Sequence, residues 1–173
     1  MIIERAPDLV PPTAVVDFDD FYATHARRTV AVAYALTGDW GAAEDLTQEA
    51  FLAASRRWTE IRDYEDPGAW VRRLVTNRSV SRWRRLVRES AAVARLSRRI
   101  SDVAADPELA DPEFWAAVRA LPPQQARAVA LHYVDDRSVE DIAAVLGCSE
   151  GSVKTHLSRA RHTLAERLGG DRP

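Results

Sequence analysis

Between Arg137 and Leu164 the chain reads RSVEDIAAVLGCSEGSVKTHLSRARHTL, a stretch that confines it to two short helices joined by a tight turn. Ser138 can cap the first helix, and Asp141 is placed as the acidic partner of a capping box. Ile142, Ala143, Val145 and Leu146 give that helix an apolar side. Gly147 ends it, where a left-handed residue costs least as glycine. Ser149 can cap the second helix. Val153, Leu157, Ala160 and Leu164 then recur at helical spacing as a buried stripe. Lys154, Thr155, Ser158, Arg159 and Arg161 fall on the opposite face. A helix fits the major groove, where its N-terminal side chains reach base edges and phosphates. The pattern is that of a helix-turn-helix. A helix–Gly–helix with one basic face also occurs in ordinary helical hairpins, so the rest of the chain must decide.

The 173 residues suffice for one or two small domains, and 46% of them are hydrophobic, enough for a core. The net charge of −2 hides strong segregation. Ten arginines fall between Arg72 and Arg99, opposed only by Glu89, and Asp102, Asp106, Glu108, Asp111 and Glu113 follow with no base among them. Such segregation suits a polyanion-binding surface and a separate acidic connector. Lys154 is the sole lysine. Arginine suits bidentate phosphate and guanine contacts, although a GC-rich genome accounts for most of that bias.

Cys148 is the sole cysteine, so no intrachain disulfide can form, as befits a reducing cytosol. It reads as a small apolar turn residue. His25, His132, His156 and His162 show no metal-ligand spacing with it, so neither metal nor cofactor is expected. MIIERAPDLVPP lacks the basic and apolar regions of a secretory signal. No stretch is long and apolar enough to span a bilayer. A soluble, cytoplasmic protein with no membrane insertion is expected.

Helical periodicity runs throughout, with no strand pattern. Residues 1–16 read as a loose tail containing Pro7, Pro11 and Pro12. Asp17 can cap a helix to about Thr37, closed by Gly38 and Asp39, with Phe18, Phe21, Tyr22, His25, Thr29, Val32, Ala33 and Leu36 inward. A second helix is expected over Trp40 to Trp58 and a polar loop over 59–66. A third begins at Pro67, a favoured first position, and reaches about Arg88 with Trp70, Val71, Leu74 and Val75 inward. Residues 89–112 read as a flexible acidic linker, with helix around Ala91 to Ile100. The second domain, 113–168, carries a helix near Glu113 to Ala120 and one from Pro123 to Val134, whose stripe is Ala126, Val129, Ala130 and Tyr133. The helix-turn-helix and a 169–173 tail complete it. The fold class is all-α, in two small helical domains.

The third helix concentrates arginine beside Trp83. Clustered arginine gives salt-dependent affinity for phosphates, and an aromatic ring among them can stack on unpaired bases. Trp70 suits the core; Trp83 suits the core or a base equally. A solvated helix face normally mixes charge signs for i,i+4 pairing, and this one does not. Glu44, Asp45, Gln48 and Glu49 on the second helix form an anionic patch that would repel DNA and could dock a basic protein surface. Two DNA-facing elements and one acidic docking face describe an adaptor that brings something to DNA.

Three blocks in order, AEDLTQEAFLAASRRW, AWVRRLVTNRSVSRWRR and LPPQQARAVALHYVDDRSVEDIAAVLGCSEGSVKTHLSRAR, resemble the sigma factors of bacterial RNA polymerase. The two-domain layout resembles their extracytoplasmic-function (ECF) group, over roughly Phe18 to Leu168. The resemblance implies a sigma-2-like three- or four-helix domain at 17–88 and a sigma-4-like helix-turn-helix domain at 113–168. It implies that Asp45, Gln48 and Glu49 bind the β′ clamp helices of the polymerase core, with the β flap as a further contact. Asp63, Tyr64, Glu65 and Asp66 would cradle a flipped base of the −10 element. Asn77, Arg78, Arg82, Trp83, Arg84 and Arg85 would engage −10 DNA and help open it. Ser152, Lys154, Thr155, Ser158 and Arg159 would read the −35 element, with Arg161 on phosphate. The acidic linker would run past the polymerase active centre toward the RNA exit channel. An anti-sigma protein is the further partner implied. Ser81 departs from the aspartate usual in the family.

Such a chain directs initiation and needs no covalent chemistry of its own. The alternative is a stand-alone regulator with a LuxR-like helix-turn-helix, which would need neither the acidic second helix nor the basic third. A nucleic-acid enzyme would need converging carboxylates or a metal site, and no His or Cys joins Glu44, Asp45 and Glu49.

Overall fold

The structure, a computed structural model, describes residues 17–93 and 111–169. The expected tails, most of the expected linker and most of the helix expected around Ala91 to Ile100 lie outside those residues. Eight helices and no strand occur among the described residues: α1 (Phe18–Thr37), α2 (Trp40–Arg56), α3 (Trp58–Ile61), α4 (Pro67–Val93), α5 (Pro112–Arg119), α6 (Pro123–Tyr133), α7 (Val139–Leu146) and α8 (Glu150–Gly169).

Local chemistry sets the helix ends. The Asp17 carboxylate accepts from the Phe18 N–H at 2.7 Å and opens α1. Gly38, at φ 70°, closes it by donating its N–H to the Tyr34 carbonyl. Asp39 then caps α2 by accepting from the Ala42 N–H at 2.7 Å. A second helix unbroken to Trp58 was expected. The backbone instead leaves helical geometry at Arg57 (φ −118°, ψ 19°) and restarts as the single turn of α3, within the expected loop. The break sets Trp58 edge-on to Phe18 at 5.4 Å and beside Phe21 at 4.7 Å, and it buries Ile61. Aromatic packing under α1 therefore overrides helix continuation. The α4 backbone continues past Arg88 to Val93, since Glu89 and Ala91 are good helix formers and no Gly or Pro intervenes.

Two apolar cores share α1. Phe21 and Ala33 pack with Phe51, Ala54, Ile61, Val71 and Val75 of α2 to α4. Val32, Ala35 and Leu36 instead join Trp115, Val118 and Leu121 in the core of the second domain. The first helix thus buries two faces where one was expected, and Tyr22, expected inward, is exposed. α4 divides similarly. Trp70 and Leu74 lie against the first core, while Arg72, Thr76 and Ser79 are buried beside Val71 and Val75.

In the second domain Asp111 caps α5 through the Phe114 N–H at 2.9 Å, and α6 starts at Pro123. Ser138 and Asp141 form both halves of a capping box on α7, and Gly147 closes it at φ 67°. Ser149 Oγ accepts from the Ser152 N–H at the start of α8. Val153, Leu157, Ala160 and Leu164 are all buried, as their spacing predicts. Each such Val or Leu contributes roughly 1.5–3 kcal/mol by leaving water, which fixes α8 against α6 and α7. Tyr133 was expected in the α6 stripe; it is exposed, its ring edge-on to His132 at 4.8 Å.

Candidate nucleic-acid interface

Burying the α8 stripe turns the other side of that helix to solvent. Lys154, Thr155, Ser158, Arg159 and Arg161 are all exposed, and Ser152 is half-buried at the helix start. Lys154 pairs with Glu150 at 3.5 Å. Thr155 donates its hydroxyl to the Gly151 carbonyl, and Arg161 Nε donates to the Leu157 carbonyl. These bonds run back along α8 and hold the side chains against their own helix. The six residues share one end and one side of a single rigid helix, the geometry that enters a major groove.

The acidic face forms in the same way. Leu46, Thr47 and Ala50 point inward on α2, leaving Glu44, Asp45, Gln48 and Glu49 outside. Leu52 continues this face at 58% exposure. Charge patterning does not reveal it, although a leucine in the position after the buried Phe51 was legible as an outward apolar residue. Arg78 donates to Glu49 at 2.8 Å and joins the acidic face to α4.

The loop before α4 does not present its residues alike. Asp63 and Glu65 are exposed. Tyr64 donates its hydroxyl to Glu60 at 2.6 Å, and Glu60 also pairs with Arg57 at 2.7 Å. The Tyr64 hydrogen bond, then Arg57, hold the Glu60 carboxyl below its ordinary range, and the same bond raises the Tyr64 phenol. Asp66 is half-buried, capping the α4 start through the Ala69 N–H and accepting from Arg72 Nη1 at 2.9 Å.

Along α4, Asn77, Arg78, Arg84 and Arg85 are exposed, and Arg82 and Trp83 are half-buried. Trp83, Arg84 and Arg88 line a cavity of about 1070 Å³, closed on its other side by Arg119, Leu121 and Arg167 of the second domain. The run of bases from Arg72 onward is not one surface. Arg72 is only 5% exposed and donates Nε to Asp135 Oδ2 at 2.7 Å. Arg137 donates to the same oxygen at 3.0 Å, and Arg28 reaches the Asp135 carbonyl at 3.2 Å. Sequence reasoning missed this network. A signal existed: Gly68, Arg72, Val75, Thr76 and Ser79 recur at helical spacing and mark a buried stripe. Two further second-domain arginines reach α4. Arg127 donates to the Asn77 side-chain oxygen, and the Arg119 guanidinium lies 5.4 Å from the Trp83 ring centroid.

Fold and faces together define an all-helical chain with a helix-turn-helix, an exposed basic α8 face, an arginine-rich α4 and an exposed acidic α2 face. Residues 21–89 match the family described as Sigma-70 region 2, and residues 112–164 match Sigma-70, region 4. Among curated relatives, the RNA polymerase sigma-E factor of Streptomyces coelicolor is 30% identical over 154 residues, covering 89% of this chain and 87% of the relative. The ECF RNA polymerase sigma factor SigM of Mycobacterium tuberculosis is 32% identical over 152 residues, covering 88% and 77%. Among solved structures, the sigma factor RpoE in complex with the anti-sigma factor NepR, from Bartonella quintana, superposes with a TM-score of 0.69 at 28% identity, covering 90% of this chain and 99% of that one. CnrH in complex with the cytosolic domain of CnrY superposes at 0.63 and 22% identity, covering 90% and 89%, a likeness of fold. The chain belongs to the sigma-70 family, as an RNA polymerase sigma factor of the extracytoplasmic-function group. It is a transcription initiation factor.

Proposed function

We propose that this sigma factor docks on core RNA polymerase in the cytoplasm through the exposed α2 face, with Asp45, Gln48 and Glu49 supplying charge to the β′ clamp helices. Leu52 adds an apolar contact at the edge of that face. The second domain meets the β flap and lays α8 in the −35 major groove, where Ser152, Lys154, Thr155, Ser158 and Arg159 read bases and Arg161 holds phosphate. Asp63, Tyr64 and Glu65 hold a flipped −10 base, and Asn77, Arg78, Arg82, Trp83, Arg84 and Arg85 grip the melted strand. Asp66 positions this loop through its cap and its Arg72 pair. Opening costs about 1–2 kcal/mol of stacking per step, which capture of flipped bases in pockets partly offsets. The domain limits of this reading are 17–88 and 113–168, with residues 89–112 linking them. An anti-sigma protein is the proposed regulator, a reading supported by the complexes in which the RpoE and CnrH structures were solved.

The observation that carries the proposal is that one chain exposes two faces of contrary charge: an acidic α2 face that repels DNA and a basic α8 face that attracts it. A stand-alone regulator has no use for the first. The test is run-off transcription with sigma-free core polymerase and genomic promoter fragments. Discrete starts that depend on the chain are expected. Silence from inhibitor-free protein that still binds duplex specifically would refute the proposal.

A further inference from the structure

The cavity beside Trp83 holds more positive charge than the promoter and polymerase contacts proposed above use. Arg84 and Arg88 line it from α4, Arg119 from α5 and Arg167 from α8. Among the described residues no carboxylate lines it, and none of these four arginines forms an ion pair. Leu36, Val80, Leu121 and Ala126 give the same cavity an apolar wall. We infer that it is a binding site for a nucleoside polyphosphate, whose phosphates the arginines hold and whose base lies against the apolar wall and Trp83. Arg88, Arg119 and Arg167 have no part in the promoter or polymerase contacts assigned above.

The arginines are held only by neutral acceptors. Arg119 Nη1 donates to the Ala35 carbonyl at 3.1 Å, while its buried Nε has no acceptor among the described residues. Burial lowers the Arg119 pKa, as expected of a cation withdrawn from water with no acid beside it. Arg88 Nε reaches the Arg84 carbonyl at 3.3 Å, and Arg167 Nη1 reaches the Ala117 carbonyl at 3.5 Å, both long for a charged donor. Arg84 and Arg88 also stand four residues apart on one helix, a like-charge spacing that destabilises unless an anion offsets it. Phosphate oxygens match guanidinium forks in pairs and form short, charge-assisted bonds with them. Size and lining then choose among anions. At about 1070 Å³ the cavity stands at the upper end of the roughly 300–1,000 Å³ usual for small-molecule sites. Inorganic phosphate would leave the apolar wall uncovered. A neutral apolar molecule would leave the arginines without acceptors, and a fatty carboxylate offers them a single charged group. A nucleoside polyphosphate brings a planar aromatic body and a chain of charges together. The Arg119 guanidinium already lies 5.4 Å from the Trp83 ring centroid, so cation and ring stand side by side as a platform for a base.

The test is calorimetric titration of the full chain at fixed ionic strength. The probes are the common ribonucleoside triphosphates, inorganic tripolyphosphate and a random single-stranded DNA pool. At least one nucleotide should bind roughly tenfold more tightly than tripolyphosphate, the scale of one stacked base. Arg88→Ala and Arg167→Ala change exposed side chains and keep the fold, which circular dichroism checks. Each should weaken the nucleotide by about tenfold, the scale of a hydrogen bond to a charged group. Arg27→Ala, which removes an exposed base of α1 outside the cavity, should leave nucleotide affinity unchanged. The nucleotide should also raise the Tm of the wild type more than that of either cavity variant, since only a ligand of the folded site stabilises it. Nucleotides that bind no more tightly than tripolyphosphate would reduce the site to a bare anion patch and overturn the inference. Undiminished affinity in both cavity variants, or an equal loss in Arg27→Ala, would overturn it as well. So would an Arg167→Ala loss for single-stranded DNA as large as that for the nucleotide, because the cavity would then be a stretch of DNA path. These outcomes are independent of the run-off assay above.

Discussion

Gly147 sets the angle between α7 and α8 and offers a calibrated perturbation. It sits at φ 67°, donates its N–H to the Ala143 carbonyl, and precedes the Cys148 N–H that reaches the same carbonyl. Alanine there suffers the clash of Cβ with the following carbonyl, about 1–2 kcal/mol. The new Cβ would also stand 3.3 Å from Arg73 Nη2, but that guanidinium is the tip of a flexible, exposed side chain and can yield. Backbone strain therefore outweighs the contact, and Gly147→Ala should cost about 1–2 kcal/mol. For a chain of this size each kcal/mol lowers Tm by roughly 2–4 °C, so a fall of about 2–8 °C is expected by far-ultraviolet circular dichroism. Gly147→Asn should recover most of the loss, because asparagine tolerates the left-handed region. If alanine melted with the wild type, or if asparagine cost as much as alanine, left-handed strain would not be what the turn requires. If both fell far beyond this range, the clash with Arg73 would outweigh the strain.

Three other perturbations probe separate parts. Asp45→Arg should reverse the charge of the α2 face and weaken core-polymerase binding in a pull-down, while −35 duplex binding in a gel shift stays at wild-type strength. Arg159→Ala should cost about 1–3 kcal/mol at one −35 position if its contact is bidentate to a base; an equal loss on every duplex would instead make it a phosphate contact. His25 is held below its ordinary value of 6.5 by burial first and by the nearby Arg72 second. Neutral His25 is thus the form the fold prefers, so its stabilising contribution is complete above pH 6.5 and is lost as pH falls from there through the lower folded value. Urea midpoints measured between pH 8 and pH 5 should fall on acidification, and less steeply in His25→Gln; parallel slopes would refute this account.

Much of the fold was legible because its determinants are local. Asp17, Gly38, Ser138, Gly147 and Pro123 act within a turn of where they stand, and each is read directly from the chain. Apolar spacing placed Val153, Leu157, Ala160 and Leu164 inside and therefore Lys154, Thr155, Ser158 and Arg159 outside. What escaped depends on partners distant in sequence. Nothing near Arg72 announces Asp135, and nothing near Trp83 announces Arg119. The break at Arg57 follows from Trp58 packing under Phe18 and Phe21, an aromatic preference that helix propensity does not contain. Tyr22 and Tyr133 fit an apolar stripe by spacing, yet each lies at its edge and stays wet. The roles assigned to the α2, α4 and α8 side chains rest on family resemblance together with exposure, and the mutations above address them.

The pairing of Arg72 with Asp135 spans 63 positions of sequence, and that span becomes time during synthesis. At about 5–20 residues per second, the ribosome takes roughly 3–13 seconds to add the chain between the two residues. Through that interval the first helices can assemble with Asp66 as the acid beside Arg72, while Asp135 is still to be made. The nascent first domain therefore carries Arg72 without its buried acid until that acid is made. Emergence of α6 and the turn that follows supplies Asp135 and completes the pair.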